Sequence, residues 1–221
     1  MILTDCGQIP TLQPIRMKTI CYSKFLFLIY LSLFAPRLTT LNAQVGRGEV
    51  QGVTGEATYT VAGAAALPLR AGASVPPGAT VNTGRSSAVD LFLGPEVGTV
   101  RLTQNTVLTL EKLDPAQTLL TLKEGSVVGW GAKVPPSSEY QVKLPNGIVG
   151  ILEGKYRLDS RSYLVLLNGA IAFAYVPAGA MATPYTLKGP PAVYFSPIEG
   201  VRPAPAPLQR EVELQCKGKL R

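Results

Sequence analysis

Six carboxylates are the residues best suited to chemistry in this sequence: Asp90, Glu96, Glu111, Glu139, Glu153 and Asp159. Two carboxylates facing one another could divide acid and base roles, as in glycoside hydrolysis. The sequence is compatible with such a pair but does not specify one. Acids scattered in this way over short strands read as solvated surface groups. They do not form the Asp-x-Asp-x-Asp loop of a calcium site. Histidine is absent from all 221 residues, which removes the commonest general base and the commonest metal ligand. A Ser-His-Asp or Cys-His arrangement is therefore excluded, as is a zinc site of the usual Cys/His type. Gly-x-Ser-x-Gly, Ser-x-x-Lys and the phosphate-cradling Gly-x-x-x-x-Gly-Lys are also missing. The expectation is a protein that is not an enzyme, with no catalytic residue, no metal site and no cofactor.

Two further side chains invite a chemical reading. The three cysteines are Cys6, Cys21 and Cys216. The first two precede an expected cleavage site, so the processed chain keeps one thiol and has no disulfide framework. An intermolecular disulfide or a free thiol at Cys216 stays open. Trp130, the single tryptophan, lies in Gly129-Trp-Gly131. It is either a packing residue whose flanking glycines admit close backbone approach or a platform for a sugar or a partner.

The elements that would carry these groups are short strands. Val89, Leu91 and Leu93 alternate with other residues, as do Tyr140, Val142 and Leu144, and Ile171, Phe173 and Tyr175. Period-two alternation marks half-buried strands. Gly94-Pro95, Asn146-Gly147 and Asn168-Gly169 punctuate them, and Asn-Gly suits a type I′ hairpin turn. No stretch after the export signal shows a 3.6-residue period, and Glu111–Thr118, with Pro115 inside it, reads as a loop. Leu120–Gly125 echoes Leu164–Gly169, and Tyr140–Lys143 echoes Tyr185–Lys188. The echo is either a duplicated β unit or chance similarity among glycine-punctuated strands.

Met17-Lys18 opens a candidate signal peptide. Lys18 and Lys24 precede an apolar run, Phe25–Ala35, which Pro36 ends; Leu41-Asn42-Ala43 offers a cut before Gln44. The run is short for a membrane-spanning helix, which takes about 20 residues, although an uncleaved anchor is the alternative. The expected organisation is a signal peptide over 1–43, a β domain over 44–196, and a Pro-rich linker and tail over 197–221. The formal charge of +7 falls after processing, because residues 1–43 contain Arg16, Lys18, Lys24 and Arg37 against Asp5. Seventeen basic and thirteen acidic groups remain. With no clustered basic face interleaved with aromatics, no nucleic-acid partner is expected.

Several pieces occur in an order that resembles the FecR domain over about residues 55–158. They are Gly55-Glu-Ala, Pro77-Gly78-Ala-Thr-Val-Asn-Thr83-Gly84, Leu91-Phe-Leu-Gly94 and Val100-Arg-Leu-Thr-Gln-Asn105-Thr106. Leu120-Thr-Leu-Lys-Glu-Gly125, Tyr140-Gln-Val and Gly147-Ile-Val-Gly-Ile151 follow. The resemblance implies an all-β, solenoid-like or sandwich-like domain that senses by contact in the periplasm. Where members of that family carry Gly-Thr near the end of the motif, this sequence has Glu153-Gly154-Lys155-Tyr156. The expected function is an exported, non-enzymatic binding or sensing module of the bacterial envelope, periplasmic or secreted, with a protein or glycan partner and no stable membrane span after cleavage. A structural or surface-assembly protein is the alternative.

Overall fold

A computed structural model describes residues 46–131 and 133–218. The expected export signal and its cleavage site lie outside the described residues. Among the described residues, sixteen strands form one continuous hydrogen-bonded sheet, and a single helix follows the last of them. The all-β expectation holds.

Two long strands organise this sheet. β12 (Gly147–Asp159) and β13 (Leu164–Tyr175) pair antiparallel along nearly their whole length, with register shifts at Ile151/Glu153 and Lys155/Tyr156. Each half of the pair supports a different set of neighbours. The first half of β12 pairs with β11 (Glu139–Leu144), which runs parallel to β9 (Gln117–Glu124). Beyond β9 lie β8 (Val107–Asp114), β5 (Thr80–Thr83), β2 (Ala57–Thr60) and β3 (Leu67–Pro68). The second half of β12 pairs with β10 (Ser126–Gly131), followed by β7 (Thr99–Leu102), β6 (Ala88–Phe92), β1 (Gly48–Thr54) and β4 (Ser74–Val75). At the far side, β13 carries β14 (Thr183–Gly189) on one half and β15 (Val193–Ser196) with β16 (Gly200–Pro203) on the other. Inward residues from both halves form one core, including Leu91, Leu102 and Leu158 from one layer and Leu108, Leu120 and Phe173 from the other. The sheet therefore curls over on itself, half-barrel fashion, into two layers around one core.

The corner where the layers join is made by glycine. Gly154 pairs with Gly169, at φ of +113° and +98°. A Cβ on Gly154 would collide with the Asn168 carbonyl oxygen, and one on Gly169 with the Glu153 carbonyl oxygen. Asn168-Gly169 is thus a bend within one strand, not the hairpin turn its sequence suggests. The Asn168 Oδ1 accepts the Lys155 N–H at 2.9 Å and occupies the backbone donor there.

Three other expectations change. The β11–β12 hairpin turns on Pro145-Asn146, not on Asn146-Gly147, since Leu144 pairs with Gly147. Gly147 takes φ +157°, which other residues rarely adopt, and a Cβ there would also strike the Ala174 carbonyl oxygen and the Phe173 ring. Conformation and space both demand glycine, although the residue lies in the strand after the turn. Glu111–Thr118 is strand apart from a two-residue turn at Pro115-Ala116, because proline fits the tight connection of β8 and β9. The echoing segments pair differently: β9 runs parallel to β11, whereas β13 runs antiparallel to β14.

The C-terminal segment is not an extended linker and tail. It forms β16 and then helix α1 (Ala206–Cys216). Leu208, Val212 and Cys216 recur every fourth residue, and together they pack on the outer face of the second layer. β10 is consequently buried on both faces: Val127 enters the main core, while Val128 and Trp130 lie against the helix side.

A buried pair ties the layers together. The Tyr140 and Tyr156 hydroxyls, from β11 and the second half of β12, lie 2.8 Å apart, and each residue is 2% exposed. Gly129 leaves room for the Tyr156 ring, which a Cβ would strike. Burial pushes both phenols well above the usual tyrosine range. The unfolded chain releases these protons near pH 10 while the folded chain retains them. Stability is therefore fully present below about pH 10 and lost above it, by about 1.4 kcal/mol per pH unit for each tyrosine.

Two outcomes follow from this packing. Gly147→Val should lower urea-unfolding stability by about 2–4 kcal/mol, through backbone displacement, while Asn146→Ala at the exposed turn should change it by less than about 1 kcal/mol. Tyr140→Phe should cost about 1–3 kcal/mol because it strands the Tyr156 hydroxyl. The double change Tyr140→Phe/Tyr156→Phe should recover part of that loss and flatten the alkaline decline, as read by circular dichroism melts between pH 8 and 11. Additive losses would refute the pairing.

Candidate functional site

The second layer presents its outward residues beside helix α1, and a polar hollow of about 580 Å³ opens there. Its floor comes from strand residues whose neighbours point into the core. On β7, Val100 and Leu102 are buried inward, so Arg101 must project outward beneath the helix. On β6, Asp90 is directly across from it, between inward Val89 and Leu91. The resulting pair is two-pronged: Arg101 Nε donates to Asp90 Oδ1 at 2.7 Å and Nη2 to Oδ2 at 2.6 Å. The third prong, Nη1, donates to the Gln215 carbonyl at 2.8 Å, at the end of α1. That contact places positive charge at the negative end of the helix dipole, on a carbonyl that also accepts the Gly218 N–H at 3.1 Å. The same guanidinium lies 6.0 Å from the Trp130 ring centroid.

Two more arginines line the hollow. Arg157, from β12, donates through Nη1 to Glu211 Oε1 at 2.6 Å and so joins the strand to the middle of α1. Arg161 folds back on Asp159, with its Nε donating at 3.0 Å to the Oδ1 that also accepts the Arg161 backbone N–H. Here exposure differs sharply: the Arg161 side chain is 77% exposed, against 12% for Arg101. The opposite rim is made of hydroxyls and amides on turns. Ser86 and Asn105 are held there at φ of +54° and +51°. Thr103, Thr106 and Ser126 form a hydrogen-bonded cluster behind them, with Thr83 Oγ1 donating to the Thr103 carbonyl at 2.5 Å.

The carboxylates singled out in the sequence are dispersed. Asp159 lines the hollow, bound to Arg161, and Asp90 lies behind Arg101, which it holds. Glu111 lies on β8, where Lys143 and Thr121 donate to it and hold its carboxyl below the usual range. Glu96 accepts the Ser138 hydroxyl at 2.9 Å, and Glu139 accepts from Gln117 at 3.4 Å. Glu153 borders a second, shallower hollow on the other layer, between the 133–138 loop and β14. Trp130 packs under α1, in agreement with the packing reading. Cys216 is a free thiol, and its burial raises its pKa. Sequence reading missed Arg101, Arg157, Arg161 and Glu211 as a group. The signal for α1 was the Leu208-Val212-Cys216 spacing.

Chemically, the hollow can recognise. Arginine remains charged at any physiological pH and presents a fixed fork of donors. The neighbouring acids are occupied by those arginines. The arrangement suits hydrogen bonding to a polar or charged ligand.

No family model matches the chain, and no curated protein matches it. Two crystal structures of a proposed anti-sigma factor from Parabacteroides distasonis, at 2.50 and 1.65 Å resolution, are similar to it at 13% and 12% identity. Each comparison covers 63% of this chain with a TM-score of 0.49, and the chain spans 64% and 65% of the length of those structures.

Proposed function

We propose that this chain is an exported, non-enzymatic binding or sensing module of the bacterial cell envelope, built on a FecR-like domain. The observation that carries the binding reading is the arginine-lined hollow. Arg101 and Arg157 are fixed by ion pairs on paired strands, Arg161 is held by Asp159 on the turn after β12, and hydroxyl and amide groups face them across an open gap. A rigid scaffold of this kind lowers the ordering cost of recognition. Turnover needs a group poised to exchange a proton, a task to which arginine is unsuited. The ordered motif from Gly55 to Ile151 supports the FecR-like assignment, and the apolar run Phe25–Ala35 supports export.

Export is tested by intact-mass analysis of the envelope fraction, where a chain beginning at Gln44 is expected; retention of residues 25–35 would show an anchored protein. Binding is tested by a photo-crosslinking residue at Gln104, on the rim, and by a control at Lys123 on the other layer. Discrete adducts are expected from Gln104 alone, lost with Arg157→Glu/Arg161→Glu. Adducts confined to further copies of the chain would favour an assembly protein instead.

Stability separates scaffold from contact surface in the same hollow. Arg161→Ala should change unfolding free energy by less than about 1 kcal/mol, as exposed pairs usually do. Asp90→Asn should cost about 1–3 kcal/mol, because it leaves the mostly buried Arg101 fork without its carboxylate. Equal effects from the two changes in chemical denaturation would contradict this division.

A further inference from the structure

Four arginines mark the outer side of the second layer, and each is matched by one acid. Arg101 pairs with Asp90, Arg157 with Glu211, Arg161 with Asp159 and Arg202 with Glu199. These eight groups make the surface strongly polar while their charges cancel. At the hollow the pairs leave hydrogen-bonding capacity of both kinds. Among the described residues, Arg161 gives Nε and Nη2 to Asp159, and Arg157 gives Nη1 to Glu211. Arg161 Nη1 and Arg157 Nη2 remain to donate. Glu211 accepts through Oε1, so its Oε2 remains to accept. On the opposite rim the exposed Asn105 amide and Ser86 hydroxyl can each do both. Among the described residues, Ala88 alone brings an apolar side chain to the lining.

An aromatic ledge adjoins this hollow. The Arg161 guanidinium, which borders the hollow, also lies 5.5 Å from the Tyr163 ring centroid. Tyr163 in turn stacks with Tyr194, at 6.2 Å between centroids and 12° between planes. Arg202 is the cross-strand partner of Tyr194. The neighbours Leu164 and Phe195 are fully buried in the core, so alternation turns the two tyrosines to the outside. Both rings are partly exposed there. Arg161 thus joins a polar hollow to a flat aromatic surface.

We infer that the hollow and the ledge together bind an uncharged oligosaccharide. This inference rests on the reading of the hollow as a binding site and names its ligand. A sugar hydroxyl both donates and accepts, which is the mixture that the walls offer. The C–H face of a sugar ring packs on an aromatic face, whose partial negative charge attracts those hydrogens. A polyanion such as a nucleic acid is held by cations left free for its phosphates, and here each arginine already has its acid. A protein partner is anchored by aromatic or aliphatic side chains that fill well-packed pockets, and a hollow lined by hydroxyls, amides and ion pairs offers them no such pocket.

The test is isothermal titration calorimetry of the purified chain with cellohexaose, maltohexaose, xylohexaose, mannohexaose and chitohexaose. Hexagalacturonate is the charged control. At least one neutral sugar should bind, with an affinity that changes less than about twofold between about 20 and about 300 mM salt, since the charges cancel. Tyr163→Ala should weaken that binding about tenfold, and Tyr163→Phe, which keeps the ring face, should stay within about twofold of the unchanged protein. Asn105→Gly, which keeps the positive φ, should weaken it about fivefold. Circular dichroism melts establish that each variant is folded. Equal affinity of Tyr163→Ala and the unchanged protein would overturn the inference. So would tighter binding of hexagalacturonate that declines with salt, although the hollow would then still be a binding site. Failure of every neutral sugar would also overturn it. In that case, protein adducts at a Gln104 crosslinker would leave the hollow as a protein-binding site, and their absence would remove both readings.

Discussion

Two backbones touch at Gly154 and Gly169, and the architecture depends on that contact. β12 and β13 must bend together to pass from one layer to the other, and neither glycine has room for a Cβ against the opposing carbonyl. Because the pair survives the bend, each long strand supplies hydrogen-bonding edges to both layers. The first half of β12 and the second half of β13 organise β11, β9 and β14; the other two halves organise β10, β7 and β15. The two layers therefore belong to one continuous sheet and share one core. The Tyr140–Tyr156 bond spans the same core and satisfies two hydroxyls that burial would otherwise leave costly.

Continuity gives the layers different outer faces. The first layer leaves Thr121, Gln141, Gly150 and Ala172 at least partly open to solvent. The second turns apolar side chains outward at Val128, Val165 and Trp130 and must cover them. Helix α1 does so, and its polar flank becomes one wall of the arginine-lined hollow. Arg101 joins the two roles: it fixes Asp90 on the sheet, lies near Trp130, and donates to the Gln215 carbonyl at the end of the helix. Lysine, a point charge without a planar fork, could not make these bonds at once. Site and cover are thus one arrangement.

Much of the sheet was legible from local pattern. Val89, Leu91, Val142 and Phe173 lie inward as alternation requires, and Gly94 takes a positive φ where Gly94-Pro95 was expected to punctuate the strands. What failed was any inference that needed distant neighbours. Asn-Gly at 146–147 and at 168–169 carries the same local signal. One stands beside a two-residue turn, and the other bends a strand because β12 lies alongside it. The hollow joins residues far apart in sequence, Arg101 with Gln215 and Arg157 with Glu211. No spacing rule links them before the strand order is known. The way the sheet curls was hidden for the same reason, since the bend is made at a glycine pair.

The last segment was misread because its composition carries two meanings. Proline and alanine between residues 197 and 208 suit an extended strap, and part of that character remains. Pro203 ends β16, and Pro205 holds an extended conformation, φ −61° and ψ 142°, immediately before the helix. A stiff approach of this kind has little freedom to lose when the helix docks. The Ala204 N–H donates to the Ala192 carbonyl, and Gln209 Nε2 donates to the Ala204 carbonyl, fixing the point from which α1 starts. Pro207 is tolerated because the first turn has no internal acceptor for its missing N–H. The prolines that make this stretch resemble a linker therefore set the register of Leu208, Val212 and Cys216 over the sheet, where a flexible linker would leave it unset.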